Sequence, residues 1–431
     1  MRVLVIGSGA REHALCWALA RSPDLERLFC APGNGGTATL AENVALDPMD
    51  FAACAAWAER QGIDLTIVGP DDPLGGGIVD VFAARGLPIF GPSAAAARIE
   101  SSKVWSKQLM REAGVPTARA ERFADRAAAG AYLSERATQE GAFPVVVKAS
   151  GLAAGKGVAI AGDVREAERA LDDFLVERRL GVAGSEVLIE DYLEGREVSI
   201  FALTDGERVV TLAPACDYKR AEDGDHGPNT GGMGAYSPPA EATAELLAEV
   251  ESRVLQPTVR ALAAAGAPFR GLLYAGLMLT REGPSVLEFN ARFGDPETQV
   301  LLPRLQSDLL ALLAAVARGR VDSVPAPRWT ADASCGVVVA SAGYPGAFAR
   351  GHEIHGLDTL DPGILVFHAG THREPADGRL LTTGGRVLTL VALGASVAEA
   401  RQRVYANVGR VSFHGARWRS DIGAREGQPH R

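Results

Sequence analysis

The sequence from Lys148 to Gly157 has the residue types needed to bind phosphate groups. A strand-like run ends in Lys148 and leads into a loop that contains Gly151, Gly155 and Lys156. Glycines allow backbone N–H groups to fold over phosphate oxygens, and lysines add a compact positive charge. The loop is not a Walker A motif, because the Gly-Lys-Ser/Thr ending and the following helix are missing. A tight β-hairpin with two exposed lysines is the alternative.

A second cluster, from Glu288 to Glu297, could bind a metal ion and stabilise a phosphoryl group. On a strand, Glu288, Asn290 and Arg292 share one face because side chains alternate with a period of two. The apolar side chains that point into the core are then Leu287, Phe289 and Ala291. Carboxylate and amide oxygens suit Mg²⁺, and an arginine can stabilise a transferring phosphoryl group. The alternative is the solvated face of an antiparallel strand, but the irregular Arg-Phe-Gly-Asp-Pro-Glu turn that follows favours a function.

The turn from Gly7 to Glu12 could bind an anion. It joins an apolar strand to a helix, and the free N–H groups at a helix start favour negative charge, with Arg11 close by. Glu12 stands where a dinucleotide fingerprint has its third glycine. We therefore interpret the turn as a phosphate site for a substrate rather than an NAD site. A packing turn that binds nothing is the alternative.

The elements that must position these residues fall into three segments. Up to residue 100, short apolar strands alternate with helices and glycine turns, which predicts a doubly wound parallel sheet with ligand sites at the carboxyl ends of its strands. The pattern then becomes α+β with hairpins, until Pro325 and Pro327 mark a linker to a small α/β domain. We therefore expect α/β and α+β domains at 1–100, 101–327 and 328–431.

Composition excludes several classes of protein. A chain of 431 residues with 47% hydrophobic and 23% charged residues has enough apolar material for folded cores. Its net charge of −9 argues against nucleic acid as the main partner. The five cysteines are widely spaced and indicate neither a disulfide framework nor a zinc site, and no apolar run is long enough to cross a membrane. We expect a cytoplasmic protein with no membrane partner.

Several segments together resemble the ATP-grasp enzymes: the glycine loop, the run from Gly227 to Pro238, and the segment from Glu288 to Glu297. More narrowly, the chain is similar to the phosphoribosylamine–glycine ligase family, which it also matches from Gly7 to His13 and from Gly384 to Arg386. The similarity covers essentially the whole chain. It implies a pre-ATP-grasp domain, a central ATP-grasp fold with a mobile lid at about 115–190, and a small C-terminal domain.

The resemblance also implies a reaction in purine biosynthesis. ATP phosphorylates the carboxylate of glycine, and the amine of 5-phosphoribosylamine then displaces phosphate to give glycinamide ribonucleotide, with ADP released. Mg²⁺ or Mn²⁺ is the implied metal ion. We expect a monomer that takes these small molecules as substrates. A transient contact with the enzyme that supplies the phosphoribosylamine is left open.

The residues that the resemblance assigns to the site fall into four groups. The metal ligands are Glu288 and Asn290. The catalytic residues are Arg292, which would neutralise the acyl phosphate, Lys148, and Asp295, which would meet a substrate amine. The ATP-binding residues are Lys103, Lys148, Gly151, Gly155, Lys156, Gly157, Glu190 and Glu197. The residues around glycine and phosphoribosylamine are Gly9, Arg11, Asn34, Asp217, Lys219, Asn229, Gly231, Gly232, Met233, Gly234 and Asp295.

Lysine usage agrees with this assignment. Only five of the 44 basic residues are lysines, and four of these lie in or beside segments assigned to anionic ligands. These four are Lys103, Lys148, Lys156 and Lys219. Lys219 is alternatively an ordinary surface cation. The fifth, Lys107, follows Lys103 by one helical turn and is predicted to be solvated.

Three other functions compete with this assignment. The nearest is another ATP-grasp ligase that activates formate or bicarbonate. A Rossmann-type oxidoreductase is disfavoured by Glu12, and a non-catalytic nucleotide sensor by the intact Glu288, Asn290 and Arg292. Ser150 departs from the family pattern, which has aspartate there, and this puts in doubt any role of that carboxylate in lid closure.

Overall fold

The computed structural model describes residues 1–153 and 156–426. The N-terminal domain has the strands β1 (Arg2–Gly7), β2 (Arg27–Pro32), β3 (Glu42–Asn43), β4 (Leu65–Val68) and β5 (Ile89–Phe90). Its helices are α1 (Ala10–Leu19), α2 (Phe51–Gln61), α3 (Asp71–Gly76), α4 (Ile78–Ala84) and α5 (Ala94–Ser101). The strands form a parallel sheet in the order β3-β2-β1-β4-β5, so the predicted parallel sheet is confirmed.

Sequence signals explain where these elements begin and end. Strand β1 is buried on both faces, as expected for an apolar strand in a parallel sheet covered by helices. Helix α2 begins because the Asp50 side chain accepts the N–H of Ala53 at 2.9 Å, and it ends at Gly62, whose positive φ angle suits glycine. The strand order reverses between β1 and β4, so a ligand cleft is expected beyond Gly7 and Val68.

The lid follows helix α6 (Lys103–Glu112) and has a core of its own. Its elements are β6 (Ala120–Phe123), α7 (Arg126–Arg136), β7 (Val145–Ala149), β8 (Val158–Ala161), α8 (Val164–Leu171) and β9 (Val187–Asp191). The sheet is antiparallel in the order β6-β9-β7-β8. Leu133 of α7, Leu171 of α8 and Val147 of β7 are buried in one apolar cluster.

The central sheet carries the second predicted cluster. The remaining elements of the central segment are β10 (Arg196–Asp205), β11 (Val209–Thr211), β12 (Cys216–Asp217), β13 (Arg220–Glu222), β14 (His226–Asn229), β15 (Gly234–Ser237), α9 (Ala244–Val250), α10 (Gln256–Ala264), β16 (Arg270–Thr280), β17 (Gly283–Asn290), α11 (Glu297–Leu301) and α12 (Leu309–Ala317). The sheet order is β11-β10-β16-β17. Helices α9 and α10 continue through a π-helical turn at Glu251–Leu255 and together form one long helix.

The C-terminal sheet is completed by strands from the central segment. Its elements are β18 (Ala333–Ser341), β19 (Leu365–His368), β20 (Thr371–Arg373), β21 (Leu380–Thr382), β22 (Arg386–Gly394), α13 (Val397–Val408) and β23 (Ala416–Arg417). The order is β12-β15-β18-β22-β19, with β23 also on β18. The chain from 216 to 237 thus packs into the third segment. No helix among the described residues is long and apolar enough to span a bilayer.

Candidate active site between the lid and the central sheet

Lys148 connects the lid to the central sheet. It lies near the end of β7, and its Nζ donates a hydrogen bond to the carbonyl oxygen of Leu287 at 2.9 Å. Leu287 is the extra residue of a β-bulge in β17, so it has no partner on β16 and its carbonyl is available. Leu287, which we expected to point into the core, is only half-buried. The ammonium group of Lys148 therefore lies beside Glu288.

The carboxylate of Glu190 in β9 lies between two lysines. Its Oε2 is 2.9 Å from Lys148 Nζ, and its Oε1 is 3.1 Å from Lys107 Nζ. Burial acts to raise the pKa of Glu190, but the two ammonium groups outweigh burial and hold the pKa below its usual value. An ATP contact from Glu190 would have to replace one of these lysines.

The prediction that Lys107 is solvated is wrong. Its side chain is buried, and Nζ also donates to Thr117 Oγ1 at 2.7 Å and to the carbonyl oxygen of Ala118 at 3.3 Å. Helix α6 packs against β9 on this side, so Lys107 faces Glu190 instead of water. Two hydrogen-bond acceptors and one ion-pair partner thus surround the ammonium group, and they offset the cost of burying its charge.

Lys103 lies in the first turn of α6 and reaches the start of the glycine loop. Its Nζ donates to the carbonyl oxygen of Gly151 at 3.1 Å. Within the loop, Lys156 is exposed and Gly157 is buried. The predicted site residue Gly155 lies outside the described residues.

A cavity of about 380 Å³ lies between the glycine loop and the N-terminal domain. Asp72 and Ser101 line it on one side, and Gly151 and Val182 line it on the other. Ser150, where the family pattern has aspartate, also lines it, and its Oγ accepts the N–H of Val104 at 3.4 Å. The cavity leaves room for a ligand beside the carbonyl group that Lys103 contacts.

Glu288 has a carboxylate without a partner among the described residues, since it makes no hydrogen bond or ion pair there. Burial acts to raise the pKa of Glu288, but nearby cations, Lys219 and Lys148 foremost, hold it below its usual value. The group therefore stays ionised at neutral pH. An ionised carboxylate surrounded by cations can bind a further cation when anionic phosphates enter with it.

Glu288 and Asn290 fit a magnesium site. Their side chains share one face of β17, and both offer oxygen atoms. Asn290 Oδ1 now accepts a hydrogen bond from Arg292 Nη2 at 3.2 Å. Across 1–153 and 156–426, no three His, Cys, Asp or Glu side chains form a closed metal cage. A site with two protein oxygens, completed by phosphates and water, is what the donor set allows.

Arg292 lies just beyond β17 and is held by a residue that the sequence analysis missed. Its Nη2 is 3.1 Å from Glu100 Oε1, and Glu100 Oε2 accepts the N–H of Ala291 at 2.8 Å. Burial raises the pKa of Glu100, and Arg292 opposes this effect. Glu100 lies in the last turn of α5 of the N-terminal domain, so no local sequence pattern connects it with Arg292.

Lys219 is not an isolated surface cation. Its Nζ lies 2.6 Å from Glu197 Oε2 and 3.1 Å from Asp217 Oδ1. Burial raises the pKa of Asp217 to about 7. Lys219 opposes this shift, and the nearby carboxylates of Glu297 and Glu197 add to it. The three side chains form one charged group beside Glu288, whose pKa Lys219 lowers.

The glycine-rich run after β14 divides between two environments. Gly231 and Gly232 lie against Arg386, whose Nη1 donates to the carbonyl oxygen of Gly231 at 2.5 Å. Met233 is buried in the sheet core, and Gly234 pairs with β18. Met233 and Gly234 therefore lie in the sheet, whereas Gly231 and Gly232 lie beside Arg386. Asn229 ends the hairpin strand β14, where it pairs with Arg220.

Asp295 joins three parts of the chain. Its Oδ1 accepts a hydrogen bond from Gln299 Nε2 at 2.7 Å and lies 3.2 Å from Arg386 Nη1. A Cβ atom at Gly9 would lie 3.3 Å from Asp295 Oδ2. The carboxylate therefore lies where the N-terminal turn, the central segment and the C-terminal domain meet.

The N-terminal turn is occupied by Glu12. The Gly9 N–H donates to Glu12 Oε2 and Arg11 Nε donates to Glu12 Oε1, both at 2.5 Å. Side chains at Gly7 and Gly69 would collide with this carboxylate. A carboxylate in the turn repels a pyrophosphate, which argues against the oxidoreductase alternative. An anion here would have to use donors other than the Gly9 N–H.

Asn34 stabilises the loop next to this turn. Its Nδ2 donates to the carbonyl oxygens of Ser8 at 2.9 Å and His368 at 2.7 Å, and its Oδ1 accepts the N–H groups of Gly36 and Thr37. Any substrate contact by the Asn34 amide would have to replace one of these bonds.

Models of three domain families match the chain in order. They are the phosphoribosylglycinamide synthetase N domain at residues 1–100, its ATP-grasp (A) domain at 101–298 and its C domain at 334–425. The chain is 50% identical over 429 residues to a phosphoribosylamine–glycine ligase of Allochromatium vinosum, covering 99% of this chain and 98% of that protein.

Solved structures show the same similarity. A phosphoribosylamine–glycine ligase from Thermotoga maritima superposes with a TM-score of 0.83 at 33% identity, covering 98% of this chain and all of that one. A biotin carboxylase domain from Hydrogenobacter thermophilus, solved with MgADP and bicarbonate, gives a TM-score of 0.71 at 18% identity, covering 97% of this chain and 91% of that one. At this identity the second match shows the fold alone.

Proposed function

The chain belongs to the phosphoribosylamine–glycine ligase family of ATP-grasp enzymes, and from this we propose how its residues divide the reaction. The enzyme joins glycine to 5-phosphoribosylamine in purine biosynthesis, with ATP as co-substrate. Two bonds are made in turn. The glycine carboxylate oxygen bonds to the γ-phosphorus as ADP leaves, and the amine nitrogen then bonds to the carbonyl carbon as phosphate leaves.

The triphosphate binds between the lid and β17. The observation that carries this proposal is the 2.9 Å hydrogen bond from Lys148 Nζ to the carbonyl oxygen next to Glu288. It brings a phosphate-binding lysine of the lid to the strand that carries the metal-binding oxygens. Lys103 supports the glycine loop from the other end, and its ammonium group adds positive charge to the same space.

Glu288 and Asn290 hold the metal ion, for which Mg²⁺ fits best and Mn²⁺ is a substitute. When bound, the ion neutralises phosphate charge and orients the terminal phosphate. Glu288 suits this role because its carboxylate is ionised and has no partner among the described residues. The Asn290 side chain is oriented by the hydrogen bond that its Oδ1 accepts from Arg292 Nη2.

Arg292 stabilises the charge that develops as the acyl phosphate forms. Its guanidinium group is fixed by Glu100 at 3.1 Å and by Asn290 at 3.2 Å, so little reorganisation is needed when the phosphoryl group transfers. Preorganised charge of this kind accelerates the chemical step more than it strengthens ground-state binding.

The second bond forms at the meeting point of the three domains. Asp295 accepts a hydrogen bond from the substrate amine, Asp217 and Lys219 border glycine, and Gly231 and Gly232 close the other side. Gly9, Arg11 and Asn34 border the phosphoribosyl end. The proposed domain bounds are 1–100, 101–327 and 328–431 with a lid at about 115–190, and the family-model bounds and the separate lid core support them.

We place the enzyme in the cytoplasm as a monomer. All five cysteines are free, which a reducing compartment would preserve. A transient contact with the enzyme that supplies the unstable phosphoribosylamine belongs to the same proposal.

The test is ADP release by the purified enzyme with each substrate omitted in turn. Release that requires both glycine and phosphoribosylamine supports the proposal. Release driven by formate or bicarbonate instead of glycine would overturn it in favour of another ATP-grasp ligase.

A further inference from the structure

The two carboxylate oxygens of Asp295 have different surroundings. Oδ1 accepts a hydrogen bond from Gln299 Nε2 at 2.7 Å and lies 3.2 Å from Arg386 Nη1. Oδ2 has no partner among the described residues and faces Gly9, where even a Cβ atom would come within 3.3 Å. One oxygen is therefore fixed by protein donors, and the other is directed toward the N-terminal turn.

We propose that Arg386 and Gln299 are positioning residues that fix Asp295 so that its Oδ2 accepts a hydrogen bond from the amine of phosphoribosylamine. This inference rests on the proposed function. It assigns to the C-terminal domain a part in the second bond-forming step, in addition to covering the site.

Arg386 has the geometry to fix the carboxylate and the surrounding loops together. Its Nη1 donates to the backbone carbonyl oxygens of Gly231 at 2.5 Å and Asp295 at 2.9 Å, and it pairs with the Asp295 side chain. Tyr344 Oη, also from the C-terminal domain, accepts the Gly231 N–H at 3.0 Å. Because Arg386 already has these acceptors, its role is to orient Asp295 rather than to bind the substrate phosphate.

The charge of Asp295 suits an acceptor better than a base. Burial acts to raise its pKa, but Arg386 and then Arg11 outweigh burial and hold the pKa below its usual value. The carboxylate accepts a hydrogen bond from the attacking NH₂ group and directs its lone pair at the acyl carbon. The C–N bond forms, and the bond from the acyl carbon to the bridging oxygen of the phosphate breaks. The proton of the nitrogen leaves with the phosphate as HPO₄²⁻.

The test compares Arg386→Gln, Arg386→Lys and Gln299→Leu with the wild-type enzyme. We expect Arg386→Gln to lower kcat/KM for phosphoribosylamine by about 30-fold or more, with KM for ATP and glycine changed less than about threefold. The acid limb of the pH profile of this kcat/KM should move to higher pH. Arg386→Lys keeps the positive charge but loses the planar guanidinium group. The acid limb of its pH profile should therefore lie where it does in the wild type, but its rate should stay low.

A double variant separates positioning from general support of the fold. If Arg386 acts through Asp295, adding Arg386→Gln to Asp295→Asn should lower the residual rate less than about twofold. Arg410→Gln is the matched control, because it removes an arginine–aspartate pair with Asp361 elsewhere in the C-terminal domain. Its kinetics should equal those of the wild type.

The inference would be overturned if the loss of rate in the double variant equalled the product of the losses in the two single variants. Equal losses in the ATP, glycine and amine parameters, or a normal rate in Arg386→Gln, would also overturn it. Absence of glycine-dependent turnover in the wild type would instead refute the proposed function, so the two failures are distinguishable.

Discussion

The ammonium group of Lys107 lies 3.1 Å from the carboxylate of Glu190, and this buried pair joins helix α6 to the lid strand β9. Glu190 also binds Lys148, which in turn contacts the bulge beside Glu288. A chain of contacts thus runs from α6 through the lid to β17, the strand that carries Glu288. Changes at Lys107 should therefore affect both stability and the nucleotide site.

Replacing Lys107 with methionine tests this relationship. Removing one partner of a buried ion pair destabilises proteins by about 3 kcal/mol, and here the loss leaves Glu190 with Lys148 alone. We expect the free energy of unfolding in urea to fall by about this amount and the KM for ATP to rise. Gln108→Ala on the exposed side of α6 is the control, and it should change stability by less than about 0.5 kcal/mol. An unchanged stability of Lys107→Met would contradict the account.

Lys107 also shows what local sequence patterns cannot predict. Its spacing from Lys103 indicates a helix, which is confirmed, but the acidic partner comes from the distant strand β9. Glu100 and Arg386 have the same character, since each contacts its partner across a domain boundary. The period of two in β17 did predict that Glu288 and Asn290 share a face, because alternation is a local property of strands.

The shared C-terminal sheet was missed for a related reason. The strand β15 lies within the glycine-rich run, where few apolar side chains alternate, so no strand pattern is visible there. Its partner β18 begins near residue 333, after the linker prolines. Pairing across such a separation is determined by tertiary packing, so local patterns predict two separate segments here.

Arg292→Ala should abolish turnover while ATP still binds. In the proposed mechanism the guanidinium group acts mainly on charge that develops in the transition state, so its removal should lower kcat by about 10²-fold or more. The dissociation constant for MgATP, measured by calorimetry, should change less than about threefold. Arg281→Ala, in the exposed turn before β17, is the matched control. A near-normal kcat for Arg292→Ala would remove this residue from its role.

Glu288→Ala should raise the Mg²⁺ concentration needed for half-maximal activity. Loss of one of two protein oxygens leaves only Asn290 to hold the ion, so an increase of about tenfold or more is expected. Glu282→Ala, an exposed carboxylate in the preceding turn, should leave the requirement unchanged. If the metal dependence of Glu288→Ala equalled that of the control, the metal site would lie elsewhere.

Two buried histidines should make stability fall in acid. Burial lowers the pKa of His13 to about 3 and that of His368 to about 4, against about 6.5 for an unfolded chain. The unfolded state therefore binds more protons below pH 6.5, and the stability present above that pH is lost as pH falls. Each histidine should contribute a loss of about 1.4 kcal/mol per pH unit between pH 6 and 5.

Urea unfolding of the wild type and His13→Gln at pH 8 and pH 5 measures this effect. Glutamine can accept the hydrogen bond that the His368 N–H now donates to His13 Nδ1 at 2.8 Å. The variant should lose less stability between the two pH values than the wild type. His355→Gln, an exposed histidine, is the control. Equal pH dependence in His13→Gln and the wild type would show that His13 is not buried in the neutral form.

The fate of the glycine carboxylate oxygen tests the central claim, that the site activates glycine as an acyl phosphate. Glycine labelled with ¹⁸O in its carboxylate is turned over with ATP and phosphoribosylamine, and the released phosphate is analysed by mass spectrometry. The account predicts one ¹⁸O atom in each phosphate, since the C–O bond breaks in the second step. Phosphate that carries no label would contradict it.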